Sequence, residues 1–198
     1  MKAMLVHDMR LSGTTPANLA QNNYEVDGTV TIQHALDWIH SYAQTQGGLD
    51  VLYIMCHGFE ANWNLGDQTC TNFQVGGFGL ALCAEGLSLS NVGIAGTIKG
   101  DVKTIYIFAC ATAQTGPGNE GTVADGMKFC GQIAMNTAAT VIAATDTQFY
   151  STDTTFWQWI TGQQGEIDFG NWEGTVYTFS PVDGSSAPLC VPAPAPVN

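Results

Sequence analysis

Two runs, VLYIMC at 51–56 and TIYIFA at 104–109, are apolar at nearly every position rather than at every second one. A strand with one wet face alternates polar and apolar residues. A strand that is apolar throughout needs cover on both faces, as central strands of parallel sheets have. Parallel neighbours need long crossovers, so helices are expected between such runs. The clearest one has Ile32, Ala35, Leu36, Ile39, Tyr42 and Ala43 on one stripe. Thr31 can cap its start, and Gly47-Gly48 ends it.

The remaining segments fit the same scheme. Residues 2–7 read as a first strand, 24–31 as a second strand or a connector, 140–144 as a fifth strand and 173–180 as a last one. Thr122 and Asp125 resemble a capping box ahead of a well-buried helix that runs to about Ala138. A weak pattern at 91–99 suggests a short helix, and a hairpin is expected around Glu85-Gly86. Loop 114–121 is rich in Gly and Pro and is an expected nick site. Phe156, Trp157, Trp159 and Ile160 form an aromatic patch. The order points to an α/β fold with a mostly parallel sheet. One domain is expected over 1–182, followed by an extended, mobile Pro/Ala-rich tail at 183–198.

Charge narrows the function classes. With 17 acidic and 5 basic residues the net charge is −12. Nucleic-acid binding depends on cations that displace phosphate counterions, so nucleic acid is excluded as a direct ligand. Anionic membranes are disfavoured for the same reason. No apolar leader and no run of about 18 apolar residues occur, which gives a cytoplasmic expectation. Cysteines stand at 56, 70, 83, 110, 130 and 190 without any C-x-x-C pair, so no zinc site is expected. Cys56 and Cys130 read as buried thiols, and Cys70 and Cys83 lie close enough in a Gly-rich stretch to pair. His34 and His40 fall on different helix faces and make no metal pair. No cofactor or catalytic metal is expected; acidic loops leave room for a regulatory calcium ion.

The two apolar runs end in chemistry. One runs into His57-Gly58, the other into Cys110. In parallel sheets functional groups collect at the carboxyl ends of strands. A thiolate is the nucleophilic form of cysteine, and a neighbouring imidazole can take its proton. Gly58 and Cys110 offer backbone N–H groups for an oxyanion hole. The opposing reading is two adjacent strands of an ordinary core.

These motifs, VLYIMCHG followed by TIYIFACATA, resemble the caspase-like cysteine peptidases of clan CD, and most closely their CHAT-domain branch. In that branch a strand ends in His-Gly and a later one in Ala-Cys-x-Thr, here Ala109-Cys110-Ala111-Thr112. His57 precedes Cys110 by about 50 residues, a spacing that caspases also show. The Gly-rich stretch GGFGLALCAEGLSLSN and the late GNWEGTVY also suit the branch. The resemblance implies a caspase-like three-layer α/β sandwich, its central sheet flanked by helices. It also implies a Cys110/His57 dyad and endopeptidase activity on a protein or peptide substrate. Phe108 and Thr112 stand where caspases carry Gln and Gly. Arg10, beyond the first strand, sits where relatives bind an acidic or amide side chain, whereas Asp8 argues for a basic one. Asp146, after the fifth strand, is a further substrate-binding candidate. The alternatives are a catalytically inactive caspase-like or flavodoxin-like interaction module and, more remotely, a serine hydrolase, for which no G-x-S-x-G elbow is present.

Overall fold

A computed structural model describes residues 1–60, 75–153, 160, 164–168 and 170–189. Among them, seven strands form one sheet. In chain order these are β1 (Ala3–Asp8), β2 (Asn22–Val26), β3 (Leu49–Met55), β6 (Val102–Phe108), β7 (Thr140–Ala144), β10 (Val176–Phe179) and β11 (Ser186–Pro188). Their spatial order is β11-β10-β7-β6-β3-β1-β2. The five from β2 to β7 run parallel, and β10 and β11 close one side antiparallel. A separate ribbon pairs β4 (His57–Glu60) with β5 (Val75–Ala81), and a second pairs β8 (Ser151–Asp153) with β9 (Glu166–Asp168).

Period-2 alternation splits the central strands between two cores. Met4, Leu52, Ile54, Ile105 and Ile107 face the larger one. Leu5, Tyr53, Met55 and Phe108 face the smaller. Helix α1 (Ile32–Gln46), the 3-10 helix Val92–Ile98 and helix α2 (Gly126–Thr137) all cover the larger core. The winding explains this. Right-handed crossovers that move in opposite directions along a sheet fall on opposite faces. Only the step from β1 to β2 moves one way, and it places Leu11, Leu19 and Ala20 on the smaller core. The steps that follow move the other way and put their helices on the other side. The expected flanking by helices is therefore met on one face. Among the described residues, the second face is covered by loop 9–21, Ile167 of β9, Tyr150 and Trp172. Trp172 stacks on Phe108 with ring centroids 4.7 Å apart.

Local signals explain the helix ends. Thr31 accepts a hydrogen bond from the His34 N–H, and Gly47 ends α1 with φ +66°. Glu85, from the turn after β5, accepts the Ile32 N–H and so closes the start of α1 from outside the helix. Helix α2 begins later than the Thr122 signal implies. Asp125 is the cap itself, accepting the Lys128 N–H, the Thr115 hydroxyl and the Gly121 N–H. One carboxylate thus closes loop 115–125 and starts the helix.

One further expectation is revised. The hairpin around Glu85-Gly86 is reduced to a single bridge, Leu80 to Leu87, because β5 takes β4 as its main partner. Beyond residue 182 the chain adds to the sheet: β11 pairs with β10, and the Leu189 N–H reaches the Val176 carbonyl at 2.8 Å. Residues 190–198 of the tail lie outside the described residues. So do Cys70, expected as a partner for Cys83, and Phe156, Trp157 and Trp159 of the aromatic patch. Cys83 is a buried free thiol.

Candidate active site

β3 and β6 are hydrogen-bonded neighbours in parallel register, Tyr53 opposite Tyr106 and Met55 opposite Phe108. The Cys56 N–H to Phe108 carbonyl bond, 3.2 Å, carries the pairing one step further. Alternation then sorts the next residues. Cys56 and Ala109 turn into the larger core, both 1 % exposed. His57 and Cys110 continue the opposite face, and both are half-buried. At this point the chain leaves the main sheet: His57 opens β4, with Ala81 of β5 as its partner.

Close backbone approach holds the two strand ends together. A Cβ at Gly58 would collide with the Cys110 carbonyl and lie 3.2 Å from its nitrogen. Glycine at 58 is what lets β4 rest on the cysteine's main chain. The ribbon also leaves one of its own donors aside. Leu80 exchanges both backbone bonds with Leu87. Gly58, opposite Leu80, is therefore a non-hydrogen-bonded position, and its N–H points away from β5. Below the cysteine, Gly126 closes on the Thr112 and Gln114 carbonyls, where a side chain would not fit.

The turn after Cys110 is strained. Ala111 sits at φ +47°, a region that costs a residue with a side chain about 1–2 kcal/mol. Its N–H donates to the Asp146 carbonyl at 2.8 Å, and its carbonyl accepts the Gly77 N–H at 2.9 Å. Two neighbouring segments thus hold the turn that presents the thiol.

The ring of His57 is oriented by loop 9–21. Nε2 lies 3.1 Å from the Arg10 carbonyl. A carbonyl only accepts, so Nε2 carries the proton and the lone pair of neutral His57 is on Nδ1. The Cys110 thiol contacts the Gln148 carbonyl at 3.7 Å. The buried Gln148 side chain ties its loop down, donating to the Asp146 and Glu173 carbonyls and accepting the Glu173 N–H.

Among the substrate-binding candidates, Asp8 and Arg10 meet each other. Asp8 is fully buried. Its carboxylate takes the Arg10 Nε–H at 2.7 Å, Nη2 at 2.6 Å, the Arg10 N–H at 3.2 Å and the Cys83 N–H at 2.9 Å. The hydrogen bond to Asp8 raises the guanidinium further above its already high range. Asp146 is exposed; its carboxylate accepts the Thr145 hydroxyl, while its backbone carbonyl holds Ala111. Gln148, the Arg10 carbonyl and the strained Ala111 were not singled out from the sequence. A lone Gln after a strand, a main-chain oxygen and an alanine carry no residue-type signal.

The four described cysteines differ in setting. Burial pushes the Cys56 and Cys130 thiols up, and burial plus the nearby Asp8 charge pushes Cys83 up to about 12. Of the four, Cys110 alone is not buried. No cluster of three or more His, Cys, Asp or Glu that could hold a metal occurs among the described residues. No helix among them is long and apolar enough to cross a membrane.

No family model, curated protein or solved structure matched this chain in comparison.

Proposed function

We propose that this chain is a cysteine endopeptidase of the caspase-like kind, closest to the CHAT-domain branch, acting on protein or peptide substrates. The observation that carries the reading is the placement of His57 and Cys110. They lie on one face at the ends of hydrogen-bonded neighbouring strands, with Gly58 packed on the cysteine backbone.

The chemistry follows from the groups present. Nδ1 of His57 takes the Cys110 thiol proton. The thiolate attacks the scissile carbonyl carbon, and the oxyanion that forms is met by the N–H groups of Gly58 and Cys110. The imidazolium, its Nε2–H still on the Arg10 carbonyl, gives its proton to the departing amine. This leaves a thioester on Cys110. Water, deprotonated by His57, hydrolyses it and regenerates the thiol. A net charge of −12 steers cationic protein segments towards the molecule.

The test is direct. Cys110→Ala and His57→Ala each lower peptide cleavage by at least about 100-fold while keeping the cooperative melt of the parent. Parent-like proteolysis by either variant would overturn the proposal. Absence of cleavage by the parent, with Cys110 alkylated no faster than an unperturbed thiol, would point instead to an inactive interaction module.

A further inference from the structure

We propose that Asp8 and Arg10 are positioning residues for His57 and do not recognise a charged substrate side chain. The proposal builds on the reading of His57 as the catalytic base. Recognition of a charged side chain needs an opposite charge that is not already satisfied. Here the two candidates neutralise each other through a bidentate pair of 2.7 and 2.6 Å, and the Asp8 carboxylate has no exposed surface. Its remaining acceptor capacity goes to the N–H groups of Arg10 and Cys83.

The same pair grips His57 from two sides. On one side it fixes the main chain of Arg10, whose carbonyl receives the His57 Nε2–H at 3.1 Å. On the other, Arg10 Nη2 reaches past Asp8 to the carbonyls of Ala81, at 3.2 Å, and Cys83, at 2.8 Å. Ala81 is the residue that pairs with His57 across the β4–β5 ribbon. One guanidinium therefore ties the end of β1, the loop that orients the imidazole, and the strand that pairs with the one carrying it. A lysine has no fork to hold a carboxylate and two carbonyls together. Removal of either charge alone would leave the other unpaired, in the case of Asp8 fully buried.

The experiment uses the full chain and three variants: Arg10→Lys, Arg10→Gln, and the neutral pair Asp8→Asn with Arg10→Gln. Thermal melts select those that fold. The first readout is the imidazole 15N spectrum, assigned with His57→Gln among only four histidines. The parent should show the Nε2–H form of His57, and the variants a mixture of tautomers. The second readout is cleavage of matched peptides with Asp, Arg or Leu before the scissile bond. Loss of about 10- to 100-fold in kcat, equal for all three peptides and with KM little changed, is expected. An unchanged His57 tautomer in a folded variant would overturn the proposal. So would a loss confined to KM for one charged peptide. If the parent cleaves none of the peptides, the endopeptidase reading fails on that result, and the imidazole spectra still decide whether the pair orients His57.

Discussion

At the scale of single residues, the site depends on what is missing from Gly58 and on what surrounds each thiol. A methyl group at 58 has no room beside the Cys110 carbonyl. Gly58→Ala is expected to cost about 1–3 kcal/mol in urea denaturation and to slow alkylation of Cys110, because β4 must lift off the cysteine turn. The thiols give a second expectation. At pH 8, burial keeps Cys56, Cys83 and Cys130 protonated and out of reach. Brief iodoacetamide treatment of the native protein, read by peptide mass mapping, should label Cys110 alone among these four. Early labelling of Cys56 would show that the β3 end is open. The sequence was informative here: alternation along the 51–56 run already separated Cys56 from His57.

Among elements, two caps differ in how much depends on them. Thr31 satisfies one N–H at the start of α1, so Thr31→Ala should cost about 1 kcal/mol. Asp125 satisfies two backbone N–H groups and a hydroxyl, and it joins the loop after the cysteine turn to α2. Asp125→Ala should cost about 2–3 kcal/mol by the same denaturation measurement, and limited proteolysis should then cut within 114–121. Equal costs for the two variants would show that the Asp125 bonds to the loop contribute nothing. The start and end of α1 were legible because Thr31 and Gly47-Gly48 are strong local signals. The true cap of α2 was not, since Thr122 and Asp125 both fit the local pattern. The choice was made by Thr115 and Gly121, which the loop brings to Asp125.

For the whole molecule, charge and buried thiols set how stability responds to solution conditions. A net charge of −12 repels itself in the compact state, so added sodium chloride should raise the melting temperature. At high pH the sign is opposite. The Cys83 thiol ordinarily titrates near 9.0 but is pushed up to about 12 in the fold. Between these values the unfolded chain sheds a proton that the native chain keeps. Stability should therefore fall as pH rises from about 9, at up to about 1.4 kcal/mol per unit for this thiol. Cys83→Ala, measured alongside, should flatten that slope. What the sequence determined by itself is what periodicity and strong local signals encode. The apolar runs specify buried parallel strands, and their last residues put His57 and Cys110 at carboxyl ends. Tertiary structure decided everything that depends on the neighbour across the sheet. It placed β3 beside β6, put the helices on one face through a single reversal at β2, and set the Arg10 guanidinium on the Ala81 and Cys83 carbonyls. It also laid the Arg10 carbonyl on His57 and the Gln148 carbonyl on Cys110. Main-chain atoms and distant partners carry these contacts, and no residue type announces them in advance.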